Sequence, residues 1–149
     1  DEVIADGRAA VTHLQSFANV NSEQVGVVGF CLGGRITWLQ TTAIPEFKAS
    51  APFYPAGVWT AWGGGPTAFE RSSGINCPIM GSFGLEDGNP SPEDVEKLDA
   101  ELTRLGVEHE FHSYQAGHDF QNFSAARYNE AAATASWPVV MDFLHRHLG

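Results

Sequence analysis

One stretch constrains the chain more than any other: Gly29-Phe30-Cys31-Leu32-Gly33-Gly34. It follows Gln24-Val25-Gly26-Val27-Val28, a short apolar, β-prone run. It precedes Arg35-Ile36-Thr37-Trp38-Leu39-Gln40, which reads as a helix. Strand, tight turn and helix in that order give the layout of a nucleophile elbow, G-x-S-x-G, with cysteine in the serine position. So sharp a turn leaves no room for side chains at Gly29 and Gly33, and either is expected to collide with its neighbours if enlarged. The turn lifts the Cys31 side chain above the sheet and aims the next backbone N–H groups, Leu32 and then Gly33, at the same spot. The helix dipole that starts there favours a thiolate or an oxyanion. Glycine-rich strand–helix turns also cradle phosphates, and a cysteine here could equally be a small buried residue, so the motif alone leaves three uses open.

The chain of 149 residues suits one domain, residues 1–149, with one sizeable core. With 43% hydrophobic and 17% charged residues it is globular rather than disordered. No apolar stretch reaches the roughly 18 residues of a membrane span. No charged n-region and apolar h-region open the chain, and the first residue is Asp1 rather than Met, which fits a processed, trimmed or truncated N-terminus. The net charge of −10 argues against nucleic acid and anionic membranes as partners. Two cysteines make no disulfide framework. Cys77, before Pro78 in an apolar run, reads as a buried strand residue. A cysteine left over for chemistry fits a reducing, cytoplasmic setting.

The periodicities predict alternating elements. Residues 2–18 form an amphipathic helix through Val3, Ile4, Ala10, Val11, Leu14 and Phe17. Residues 24–30 form the strand that delivers Cys31, and residues 32–41 form the elbow helix. A second strand covers 47–54, with Pro52 arguing for an early stop. Residues 55–74, rich in Gly, Pro, Trp and Thr, form a long loop. A third strand covers 75–83. A helix over 92–105 has Ser91 as cap, Pro92 in its first turn and Gly106 at its end. A fourth strand covers 107–114, a loop 115–122, and a final helix 124–148 with a break at Pro138. This order predicts an α/β fold of about four parallel strands with helices on both faces.

A cysteine nucleophile needs a base, and the base needs an orienting acid. On open α/β sheets these groups sit just past the C-terminal ends of strands. Asp87 follows the third strand in Gly84-Leu85-Glu86-Asp87-Gly88, and His118 follows the fourth in Ala116-Gly117-His118-Asp119-Phe120. Glu86 is a rival to Asp87. Asp119 is a weaker one, expected to point away from the ring beside it. His13, His145 and His147 lie on helices and His109 and His112 within a strand. No histidine pair beside carboxylates has metal-ligand spacing, so neither metal nor cofactor is expected.

These motifs together resemble the dienelactone hydrolase family of the α/β-hydrolase superfamily. Besides the elbow, the matching residues are Phe53-Tyr54-Pro55-Ala56-Gly57, Cys77-Pro78-Ile79 leading to Gly84 and Asp87, then Tyr114, Gly117, His118 and Phe120, and the final Phe143-Leu144-His145-Arg146-His147-Leu148. The resemblance runs over nearly the whole chain, to the C-terminal part of the family. It implies a three-layer α/β-hydrolase fold, truncated at its N-terminal strands. It also implies a Cys31, Asp87 and His118 triad acting on small activated carboxylic esters through an acyl-enzyme, with Leu32 and Gly33 as backbone oxyanion donors. The N-terminal segment of the family supplies the second oxyanion donor, and its dienelactone enzymes hold the substrate carboxylate with arginines. One such arginine lies four residues after the histidine, where this chain has Asn122, so dienelactone itself gains no support. Tyr54, Trp59, Trp62 and Arg35 are candidate substrate contacts, with the tryptophans as an apolar wall. The alternative is a weak or inactive remnant that serves as a binding module. In either case residues 25–30 are expected to form an apolar edge strand that a homodimer buries.

Overall fold

The computed structural model describes residues 2–149. Its elements are α1 (Glu2–Gln15), β1 (Val25–Phe30), α2 (Leu32–Thr41), β2 (Phe47–Phe53), β3 (Ile79–Gly84), α3 (Pro92–Leu105), β4 (His109–Tyr114) and α4 (Glu130–Leu148), with one 3-10 turn at Ser72–Gly74. The strands form one sheet in the order β1-β2-β3-β4, and every neighbouring pair is parallel. Each strand returns through a connection that crosses a face of the sheet, as parallel pairing requires.

The sheet is covered on both faces. On one, Trp38 and Leu39 of α2 and Val95, Leu98 and Leu102 of α3 pack with Ile79 and Phe83 of β3. On the other, Ala132, Val140 and Phe143 of α4 pack with Ala49, Ala51 and Phe53 of β2 and Met80 of β3. Successive side chains of a strand point to opposite faces. Ile79 and Met80 therefore serve different cores. β2 and β3 are buried almost throughout, as interior strands of a parallel sheet are.

Several boundaries differ from the sequence reading. α1 stops at Gln15, where Ser16 and Phe17 turn back onto His13 O and Leu14 O at 3.1 Å each. Pro52 stays within β2, in register with Gly29. β3 starts at Ile79 because Gly74 and Ile75 are held in the preceding turn by Arg71 O and Ser72 O. α3 agrees, with Ser91 and Asp94 in a reciprocal capping box and Gly106 closing the helix at φ 69°. β4 starts at His109 rather than residue 107. α4 starts at Glu130, where Asn129 caps it, and runs through Pro138 without the expected break.

Candidate active site

Cys31 joins β1 to α2 with φ 54° and ψ −117°, a region that non-glycine residues seldom enter. Three hydrogen bonds hold it there. Cys31 N–H donates to Phe53 O at 3.1 Å, and Cys31 O accepts from Arg35 N–H at 3.1 Å and Ala56 N–H at 3.2 Å. The glycines are only partly those the sequence suggested. A Cβ on Gly29 would overlap Gly33 O and Thr37 Oγ1, and one on Gly34 would lie 2.5 Å from Phe53 O. A Cβ on Gly33 would meet nothing within 4 Å, so Gly29 and Gly34 are the crowded pair and the collision expected at Gly33 does not occur. Leu32 and Gly33 supply the first N–H groups of α2, which helix geometry leaves without intrahelical acceptors.

The loops after β3 and β4 are laced together. Leu85 N–H donates to Tyr114 O and Glu86 N–H to Ala116 O, both at 2.9 Å. This lacing brings the Asp87 carboxylate to the ring of His118, with Oδ2 and Nδ1 2.7 Å apart. Asp87 Oδ1 accepts the Asn89 N–H at 2.8 Å. Glu86 points elsewhere, accepting from Gln115 Nε2 at 2.6 Å. The hydrogen bond that the ring donates to Asp87 is the main reason the His118 ring is pushed up from its usual value near 6.5 to about 9. Burial opposes the rise, and the hydrogen bond with Cys31 and the charges of Asp87 and Cys31 add to it.

Asp119 departs from expectation. Its Oδ1 lies 3.9 Å from His118 Nε2, so it flanks the ring face turned toward Cys31 rather than pointing away. Cys31 Sγ, a ring nitrogen of His118 and an Asp119 carboxylate oxygen all lie within 4.8 Å of one another. Chain spacing could not reveal this cluster, because its members come from two strand ends. Cys31, Tyr54 and Asp119 are also the three non-glycine residues with positive φ among the described residues, at 54°, 33° and 64°. All three line one cavity of about 420 Å³, together with Phe30, Gln121, Asn122 and Phe123. Backbone strain gathered around one cavity is typical of a site held in shape by its surroundings.

Tyr54 is buried, with its ring centroid 5.0 Å from that of His118, and burial raises its phenol well above the ordinary range. The other three candidate contacts lie elsewhere. Trp59 packs against Phe69 with ring centroids 4.0 Å apart, beside the core of α2 and α3. The Arg35 guanidinium is buried, bonded to Thr60 O and placed 3.9 Å over the Trp62 ring. None of Arg35, Trp59 and Trp62 lines the Cys31 cavity. The sequence reading missed Gln121 and Phe123, the latter 84% exposed at the rim, because nothing in a loop's composition tells which residues turn inward.

The dienelactone hydrolase family model matches residues 1–148. The chain belongs to the dienelactone hydrolase family. A provisionally named carboxymethylenebutenolidase of Synechocystis sp. is 34% identical over 99% of this chain and 60% of its own length. One of Salmonella typhimurium is 29% identical over 99% of this chain and 55% of its own. A provisionally named dienelactone hydrolase of Klebsiella pneumoniae superposes with a TM-score of 0.89 at 25% identity, over 96% of this chain and 60% of that one. The chain thus spans somewhat more than half the length of the relatives it matches, and its fold is the α/β-hydrolase fold of this family.

Proposed function

We propose that this dienelactone hydrolase-like chain hydrolyses small, uncharged, activated carboxylic esters with Cys31 as nucleophile, His118 as proton carrier and Asp87 as its orienting acid. The observation that carries the reading is the relay of contacts. Asp87 grips one ring nitrogen of His118 at 2.7 Å, and the ring lies within 4.8 Å of Cys31 Sγ. Below about pH 9 the ring holds its proton, so at neutral pH it begins the cycle as a donor.

In the first half-reaction the Cys31 sulfur, its proton given up to His118, attacks the ester carbonyl carbon. The carbonyl electron pair moves to oxygen, where the Leu32 and Gly33 N–H groups receive it; one such donor is typically worth about 3 kcal/mol. The tetrahedral adduct collapses, the C–O bond to the leaving group breaks, and His118 gives that oxygen its proton. A thioester on Cys31 remains. The now neutral His118 takes a proton from water as the hydroxyl attacks the thioester, and the carboxylic acid leaves as the C–S bond breaks. Asp87 fixes the ring tautomer throughout.

Substrate class follows from the cavity. Its lining among the described residues carries no Lys or Arg, and Asn122 and the acidic Asp119 face it. An anionic substrate finds no cationic partner in this cavity, Arg127 lining the neighbouring one beside Asp87 and His118, while Phe30, Tyr54 and Phe123 suit an apolar acyl or alkoxy group. Both cysteines are free thiols, which suits a reducing, cytoplasmic setting.

Assembly belongs to the same proposal. β1 is an edge strand, with Val28 36% and Phe30 41% exposed and no charged residue along it. We propose that a second copy covers it, related by a two-fold axis that pairs β1 with its counterpart. The test of the chemistry is turnover of short p-nitrophenyl esters by the wild type and Cys31→Ala. A rate that collapses in the variant supports the reading, and equal rates would sink it.

A further inference from the structure

We propose that Cys31, His118 and Asp119 form a binding site for a thiophilic divalent cation of the zinc class, and that its occupancy switches the active site off. The three side chains offer a sulfur, an imidazole nitrogen and a carboxylate oxygen, all within 4.8 Å of one another. In a tetrahedral zinc site, with metal–ligand bonds of about 2.0–2.3 Å, such atoms stand roughly 3.4–3.6 Å apart. Asp119 Oδ1 and His118 Nε2 are already 3.9 Å apart. Closing the set needs about an ångström of side-chain movement.

Three further features fit a cation rather than chance proximity. First, the Asp87–His118 hydrogen bond at 2.7 Å occupies Nδ1 and leaves Nε2 as the ligand atom. A carboxylate behind a histidine is the usual outer support of a metal-bound imidazole. Second, the Asp119 carboxylate, on a backbone at φ 64°, lies on the Cys31 side of the ring. Third, two of the three donors, Cys31 and Asp119, line the 420 Å³ cavity, which leaves room for water or anion in a fourth position. A thiolate with an imidazole selects Zn²⁺, Cd²⁺ or Co²⁺ over Mg²⁺ and Ca²⁺. Each ligand binds deprotonated, so any proton on the thiol or on Nε2 passes to solvent. A cation there takes the nucleophile's lone pair and the proton carrier's nitrogen at once. Binding rests on the ligand geometry alone; only the loss of activity rests on the proposed hydrolysis.

The experiment titrates the 149-residue protein with Co²⁺ and Zn²⁺ under a phosphine reductant. One equivalent of Co²⁺ is expected to give a near-ultraviolet thiolate-to-cobalt band that Zn²⁺ abolishes by displacement and Mg²⁺ does not. Cys31→Ser removes the band. Asp119→Asn keeps the band but weakens binding at least about tenfold, the lower end of what losing even an outer partner costs. Asn tolerates the left-handed backbone at this position, so that variant keeps the fold. No band in the wild type, or Asp119→Asn binding as tightly as the wild type, overturns the site. A protein that binds cobalt this way yet hydrolyses no ester upholds the site and sinks the proposed hydrolysis.

Discussion

The two edges of the sheet make opposite arrangements for water. β4 carries Glu110 and His112, and its flank is tied down by ion pairs: Glu110 with Arg146 of α4, Glu108 with His147 at 3.8 Å, and His109 with Asp99 at 3.2 Å. Charges of this kind discourage pairing with another chain. β1 has none. Its Val28 and Phe30 are partly exposed, Phe30 stacks on Phe53 at 4.7 Å, and Trp137 of α4 stands nearby at 45% exposure. On the other face an apolar groove runs between Ala10 and Leu14 of α1 and Val25 and Val27 of β1. One flank is finished, and the other has the composition of an interior strand. The site inherits the asymmetry. Asp87 and His118 sit on the finished flank with their bonds made, whereas Cys31 hangs from the end of the unfinished strand.

Breaking the finished flank at the site has the largest expected effect. Asp87→Asn should lower ester turnover by about 10³–10⁴-fold, because the ring loses the partner that sets its tautomer. In that variant the His118 titration, read by NMR, should fall from about 9 back toward 6.5. An unchanged titration would mean that Asp87 does not govern the ring.

The unfinished flank comes next. Val28→Lys should weaken self-association at least about tenfold in Kd, equivalent to roughly 1.4 kcal/mol. The matching change on the other edge, Ser113→Lys, should leave association unchanged. Sedimentation equilibrium of both variants reads the contrast directly, and equal behaviour would erase it.

A pH effect of intermediate size separates the flanks further. His118 is raised from 6.5 to about 9 on folding, so its contribution to stability is full below about pH 6.5 and is lost as pH rises through about 9. Denaturant midpoints should therefore decline over that window in the wild type and decline less in Asp87→Asn. The smallest effect belongs to the β4 surface. Glu110→Ala removes an exposed pair with Arg146 and should cost under about 1 kcal/mol in urea unfolding.

Much of this was legible in the sequence where physics is local. Apolar or alternating runs marked the four strands, the Gly29–Gly34 spacing marked the elbow, and Ser91, Pro92 and Gly106 bounded α3. Position after a strand end drew attention to Asp87 and His118. What was illegible depends on tertiary contacts. Asn129, not a residue near Ser124, caps α4, because residues 119–128 are spent in turns around His118. Gly34 rather than Gly33 is crowded because β2 happens to present Phe53 O to it. Arg35 and the tryptophans looked available for a substrate, yet Arg35 stacks over Trp62 and Trp59 packs against the core of α2 and α3. Asp119 looked like a bystander because adjacency in sequence does not show a left-handed backbone.

In the proposed hydrolysis Cys31 carries the acyl group. The direct measurement is intact-protein and peptide mass spectrometry after acid quench of the wild type reacting with p-nitrophenyl acetate. One acetyl group per chain is expected on the peptide bearing Cys31, formed in the burst of p-nitrophenol release and absent in Cys31→Ala. Turnover with no adduct on Cys31, or with the acetyl group on another residue, would contradict it.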